Sequence, residues 1–438
     1  MTNPMLEIID ARKAGKNTGI YSCCSANEYV IEAALERGLQ TNSSVLIEAT
    51  ANQVNQFGGY TGMVPSDFVS FVYAIADKLG FPRNRLILGG DHLGPLLWQK
   101  DPEAVAMEKA KVLIYQYVSA GFSKIHIDTS MKVADDDPDT RLSDEVIARR
   151  AAILCEVAEA ASASLRAEHP ELPQPVYIIG SEVPIPGGAQ QDEDSVHVTT
   201  GDEFRITLSA FRDAFLSRGL EDAFNRVIGV VVQPGVEFGD TFVLDYDPAA
   251  AKDLTAALKE YDGIVFEGHS TDYQTADNLR AMVCDGIAIL KVGPALTFAM
   301  REAIFALNDV EEEVLGCSSI PLSNFRSVLD KKMLEQPGHW EKHYQGDTQQ
   351  KVFKRKYSYS DRCRYYFAEP DIIRSLRILM HNIDNYPIPL NILSQYLPVQ
   401  YEHIREQKLA FSAAGIIKDR IKTTIDDYLY ATAVVNTL

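Results

Sequence analysis

Cysteine is scarce and unpatterned here. Six cysteines in 438 residues (Cys23, Cys24, Cys155, Cys284, Cys317 and Cys363) show no CxxC spacing and no dense framework. That excludes a disulfide scaffold and reads as reduced thiols of a cytoplasmic protein. Basic residues are also short, 42 Lys and Arg against 61 Asp and Glu, for a net charge of −19. A nucleic-acid binder needs a basic face to neutralise phosphates, so that class is excluded. No apolar run approaches the roughly 18 residues of a membrane span. The opening residues place Glu7 and Asp10 where a secretory leader would be apolar, so none is expected. There is no GxxxxGK(S/T) loop and no GxGxxG opening a helix, which leaves a nucleotide-dependent kinase or dehydrogenase without support. GxSxG and HExxH are absent too. Metal-assisted chemistry on a small polar substrate remains as the main enzyme class.

What is present is an ordinary globular composition, 46% hydrophobic and 24% charged, long enough for one α/β barrel of about 250 residues plus a second element. Eight short segments rich in β-branched or apolar residues read as buried strands: 19–25, 45–50, 86–92, 124–130, 176–183, 227–234, 263–270 and 286–293. Stretches with helical spacing lie between them, including 67–79, 102–120, 143–167, 203–218, 248–261 and 295–314. Eight β-α alternations predict a parallel (β/α)8 TIM barrel over 1–315. Residues 316–438 lack that alternation and break at Pro321, Pro337, Pro370, Pro387, Pro389 and Pro398. They are expected to form a mostly helical appendage and to favour assembly, a homo-oligomer included. Within it, Lys351–Phe367 interleaves basic and aromatic residues, a segment suited to a phosphorylated substrate or a partner subunit, or simply to packing on an acidic barrel.

Chemistry in such barrels lies at the carboxyl ends of the strands. Those ends are polar here: Ser22–Ser25, Glu48–Thr50, Asp91-His92, His126–Ser130, Ser181-Glu182, Gln233, Glu267–Thr271 and Lys291. Converging ionisable groups are costly unless paired or bound to a metal, so a site explains them better than stability does. One strand-end histidine alone reads as structural. Two of them, His92 and His269, with Glu182 and Glu267 on neighbouring strands, suit a divalent-metal shell. Ser25, Glu48, Asp128, Ser130, Ser270, Thr271 and Lys291 are substrate-binding candidates; Glu48 and Lys291 equally suit an ion pair across the barrel. Ser270-Thr271 offers donors to a phosphate.

Gly89-Gly-Asp-His-Leu-Gly94, Ala120-Gly-Phe-Ser-Lys-Ile-His-Ile-Asp-Thr-Ser130 and Glu182-Val-Pro-Ile-Pro-Gly-Gly188 resemble strand-end motifs of class II, metal-dependent ketose-bisphosphate aldolases. Longer stretches are similar to the non-catalytic subunit family of tagatose-bisphosphate aldolase: Glu48–Gly62, Val231–Glu237, His269–Thr275, Lys291–Phe298, Tyr357–Arg362 and Ser394–Pro398. That resemblance covers nearly the whole chain. It implies Asp91 as the acid/base, His92 as a metal ligand and Glu182 as the carboxylate serving the enediolate. At the positions of the second and third aldolase histidines stand Gln233 and Glu267, with His269 two residues on; the strand-eight asparagine becomes Gly293. An oxygen-richer shell of His92, Gln233, Glu267 and His269 shifts preference from zinc toward manganese or magnesium. The family also holds 4-epimerases acting on tagatose, fructose or their 6-phosphates. The function so implied is a metal-dependent ketose 4-epimerase that interconverts D-fructose and D-tagatose, or the phosphates, by retro-aldol cleavage and re-addition. The alternative is a stabilising partner of a catalytic aldolase subunit.

Overall fold

Apolar runs of four to eight residues, too short for helices, form the barrel strands in the computed structural model, which describes residues 2–181 and 196–432. In chain order the strands are β1 (Ile20–Cys23), β2 (Val45–Thr50), β3 (Leu86–Leu93), β4 (Lys124–Ile127), β5 (Val176–Ile179), β6 (Val227–Val232), β7 (Glu237–Phe238), β8 (Val243–Leu244), β9 (Val265–Gly268) and β10 (Ile287–Val292). Strands β7 and β8 make a small antiparallel hairpin. The other eight close a barrel in the order β1-β10-β9-β6-β5-β4-β3-β2, every neighbouring pair parallel. This is the expected (β/α)8 barrel. Six of its strands stop earlier than expected, β4 at Ile127 rather than 130, because the chain leaves the ladder to carry polar side chains over the mouth, whereas β2 ends at Thr50 as expected and β3 runs on to Leu93.

Period-two alternation divides each strand between two cores. Leu46, Ile87, Val176, Ile178, Ile228, Val231, Val265 and Ile289 face inward and pack on Met5 and Ile9. Val45, Ile47, Ile125, Tyr177, Val230 and Leu290 face outward and join the core beneath the surrounding helices. Helix Met5–Lys13, absent from the sequence expectation, plugs the lower end of the barrel. It is anchored there by the Asn3 amide, which donates to Ser123 O at 2.8 Å and Gln174 O at 3.0 Å.

Beyond Gly316 the described chain is helical: Phe325–Glu335, Thr348–Tyr357, Pro370–Asn385, Leu390–Tyr396, Pro398–Arg405 and Ala413–Thr432. Pro370 and Pro398 open helices where no amide donor is needed. Helix Ala413–Thr432 packs on helices Glu28–Thr41, Ala276–Cys284 and Pro294–Leu315. The Tyr428 hydroxyl donates to Thr271 O at 2.8 Å, and the Thr18 hydroxyl donates to Thr432 O at 2.9 Å. The C-terminal helices therefore share one continuous core with the barrel. No helix among the described residues is long and apolar enough to cross a membrane.

Candidate functional site

Neighbouring residues of a regular strand point to opposite faces, so Asp91 and His92 could not both enter the mouth from an unbroken β3. The β3–β4 register jumps from Gly90↔Ile125 to Leu93↔Ile127, which is a one-residue bulge at Asp91-His92. His92 also adopts a left-handed backbone, φ 51°, as does Ser270 above β9, φ 52°. Non-glycine residues pay for that conformation, and its appearance at two strand ends of one mouth marks a functional position. The Gly89–Gly94 glycines make room for this arrangement. A Cβ on Gly89 would lie 2.6 Å from Glu48 Oε1, and one on Gly94 only 1.6 Å from Asp128 O. Gly94→Ala must therefore push the Asp128 backbone away. An overpacking cost of about 1–3 kcal/mol is expected, read as a lower urea midpoint; an unchanged midpoint would refute the close packing.

An ion network fills the floor of the mouth. Lys124 Nζ lies 2.6 Å from Glu48 Oε1 and 2.5 Å from Glu267 Oε2, with all three side chains fully buried. Lys291 Nζ pairs with Glu48 and lies 2.7 Å from Asp91 Oδ1. Burial works against charge on Lys291, but Asp91, Cys24, Glu267 and Glu48 raise its pKa well above the ordinary value. Burial likewise opposes ionisation of Asp91, yet His92, Lys291 and His126 hold its carboxyl well below the usual range. Both groups stay charged because each is the other's counter-ion.

Above the floor stand three imidazoles. The His92, His126 and His269 ring centroids lie 5.1, 4.9 and 5.2 Å apart, all three rings buried. In each ring one nitrogen is engaged by a carboxylate: His92 Nδ1 with Asp128 Oδ2 at 2.8 Å, His126 Nδ1 with Asp91 Oδ1 at 2.8 Å, and His269 Nε2 with Glu267 Oε1 at 2.9 Å. The second nitrogen of His92, Nε2, lies 3.8 Å from Asp91 Oδ2, and His126 Nε2 is buried with no hydrogen-bond partner. Ring nitrogens oriented by carboxylates are the usual arrangement around a bound metal. Asp91, His92, His126 and His269 each offer an atom within 4.8 Å of the others'. Burial pushes His269 down to about 3, which keeps its ring neutral as a ligand must be. These residues fit a divalent ion.

The structure corrects several sequence assignments. Gln233 does not line the cavity of the mouth; its side-chain oxygen accepts from the Gly235 amide at 2.8 Å. Glu267 is turned to Lys124 and His269, which take up both of its oxygens. Glu48 does not reach substrate space; it is the ion-paired partner of Lys124 and Lys291. Thr271 is fully buried, its hydroxyl donating to Lys291 O at 2.6 Å, so it has no proton left for a phosphate. Ser130 donates to Asp128 Oδ1 at 2.6 Å and thereby holds the carboxylate that holds His92. Glu182 lies outside the described residues. Ser25, Asp91, His92, His269, Ser270 and Lys291 do line the mouth together, around a cavity of about 580 Å³.

Sequence reasoning passed over His126 and Lys124 as site residues. Their signal was present: Lys124-Ile-His-Ile127 alternates polar and apolar in a strand that the fold buries on both faces, which aims both polar side chains at the barrel axis. The C-terminal region supplies the rest of the mouth. Arg364, Tyr365 and Phe367 line the cavity, and the Tyr365 ring meets Tyr60 edge-on at 4.7 Å, closing the loop after β2 against the C-terminal segment. Elsewhere the basic segment is paired locally, Lys354 with Asp240 at 2.8 Å and Arg355 with Asp330 at 2.7 Å.

Fold and mouth together define a (β/α)8 barrel with a buried histidine and carboxylate cluster at the carboxyl ends of its strands. Residues 5–433 match the family described as D-tagatose-1,6-bisphosphate aldolase subunit GatZ/KbaZ-like, and the chain belongs to that family. It is 50% identical over 426 residues to the D-tagatose-1,6-bisphosphate aldolase subunit GatZ of Salmonella newport (strain SL254), covering 97% of this chain and 98% of that one. The GatZ subunit of Salmonella gallinarum (strain 287/91 / NCTC 13346) is 49% identical over the same shares. Among solved structures, a probable tagatose 6 phosphate kinase from Sinorhizobium meliloti 1021 superposes with a TM-score of 0.85 at 43% identity, covering 95% of this chain and 100% of that one. The family and its Salmonella members overturn the expectation of an autonomous ketose 4-epimerase, since they are named as aldolase subunits.

Proposed function

We propose that this chain is a non-catalytic subunit that stabilises a separate catalytic subunit of tagatose-bisphosphate aldolase. The observation that carries the reading is end-to-end identity of about half with relatives named as D-tagatose-1,6-bisphosphate aldolase subunits. The mouth supports it. At the two positions where a class II aldolase is expected to place further histidine ligands, Gln233 is bonded to backbone and Glu267 to lysine, so the aldolase ligand set is not assembled there.

The test is to express a catalytic class II tagatose-bisphosphate aldolase subunit alone and together with this chain. The reading expects copurification and a several-fold longer half-life of cleavage activity at growth temperature. It also expects no cleavage by this chain alone. A catalytic subunit whose half-life is unchanged by an equimolar amount of this chain would exclude the role.

A further inference from the structure

We propose that the Asp272 carboxylate fills the anion position of this mouth, so that the chain's own barrel refuses a phosphoryl group at that end. This goes beyond the subunit reading and stands without it.

Phosphate sites of (β/α)8 barrels commonly lie where the loops after the seventh and eighth strands meet a helix N-terminus, because backbone amides and the helix dipole both favour an anion there. Those barrel strands are β9 and β10 here, and the terminus is that of helix Pro294–Leu315, 22 residues long. Its donors can be counted. Pro294 has no amide hydrogen. The Leu296 and Thr297 amides donate to Gly293 O at 3.1 and 3.4 Å, within the first turn. The Gly293 and Ala295 amides remain, and both donate to Asp272 Oδ1, at 3.0 and 2.8 Å. One oxygen of Asp272 therefore takes up every outward donor of the terminus. An ordinary N-cap is the residue next to its helix. This carboxylate comes from a different loop, 21 residues before Gly293.

Position and charge agree with that role. Asp272 is buried, yet it lines the mouth cavity together with Ser270, Lys291, Gly293 and Arg364. Burial raises its carboxyl to about 6, while the Ala295 and Gly293 amides and Arg364 act the other way, so it is an anion at neutral pH. Arg364 is held beside the cavity by donating to the Asp361 carbonyl at 3.0 Å and to the Tyr365 hydroxyl at 3.0 Å. A phosphoryl oxygen entering this end of the cavity gives up its water, meets a fixed negative charge and finds no amide donor. A neutral hydroxyl finds an acceptor instead. Loss of the Asp272 side chain reverses the balance: two amides, the Ser270 hydroxyl and the Arg364 guanidinium are then left around one space open to the cavity, and such donors make a phosphate site. Asp272 is thus a specificity-determining residue.

The test is a calorimetric titration of inorganic phosphate into the full-length chain at neutral pH, after metal has been stripped with a chelator and the chain desalted. The unaltered chain is expected to bind phosphate weakly or not at all. Asp272→Gly should gain one site per chain, tighter than wild type by about ten-fold or more, the least that two amide hydrogen bonds to an anion contribute. Asp272→Asn keeps an oxygen on the two amides and should gain little. Adding Arg364→Met to Asp272→Gly should remove most of the gain, a response that loss of a merely structural cap would not produce. An Asp272→Gly chain that folds and binds phosphate no better than wild type would overturn the assignment, as would wild-type phosphate binding that is lost on Arg364→Met. Should Asp272→Gly fail to fold, the unaltered chain decides the matter in a proton–nitrogen NMR titration: the Gly293 and Ala295 amide resonances must stay in place as phosphate is added, and their movement refutes the plug. None of these readouts involves a catalytic aldolase subunit, so this inference and the subunit reading fail separately.

Discussion

Replacing Lys124 by Met is expected to lower the unfolding free energy by about 3–5 kcal/mol, the usual penalty for stranding one side of a buried ion pair. Lys124 is fully buried and lies within 2.6 Å of two equally buried carboxylates, Glu48 and Glu267. Without its ammonium group only Lys291 remains for both, and Lys291 already serves Asp91. Urea denaturation followed by circular dichroism gives the number. Adding Glu267→Gln to the same chain removes one stranded charge and should recover part of the loss. A Lys124→Met chain as stable as wild type would mean that the lysine's desolvation cancels its attraction to both partners.

The second large effect is expected from Glu311→Ala. Glu311 is fully buried on helix Pro294–Leu315 and is held there by hydrogen bonds. Its carboxylate accepts from the Ser323 amide at 3.0 Å, from the Ser323 hydroxyl, and from the Asn382 amide at 2.6 Å. Ser323 lies in the segment entering the C-terminal helices and Asn382 in helix Pro370–Asn385, so one side chain fastens both to the barrel. Truncation leaves buried donors unsatisfied at about 1–3 kcal/mol each. A drop in stability together with new protease cleavage between residues 316 and 345 is the expected outcome, and wild-type resistance to proteolysis would refute the fastening role.

Particular residues show how much of this was legible in advance. The barrel was legible because each strand is a short apolar run with its own period, a local property. Asp91, His92 and His269 stood out as polar groups ending such runs. Gln233 and Glu267 misled, because a position matching a metal ligand in another chain says nothing about which neighbour a side chain meets. Glu267 meets Lys124, three strands away along the barrel wall across β6 and β5, and no sequence spacing encodes that contact. Helix Met5–Lys13 was missed because its apolar face is narrow; what holds it is the open end of the barrel.

The sequence by itself determined the class of fold, the count and order of the strands, the polar character of their ends and the kinship with an aldolase subunit, since these depend on local periodicity and residue identity. Only the tertiary structure decided that His126 joins His92 and His269, that Glu267 belongs to lysine, and that residues beyond 316 complete the mouth. The reason is geometric. Closing a barrel brings side chains from distant strands within a few ångströms, and a one-residue bulge, invisible in the order of residues, determines which of them face one another.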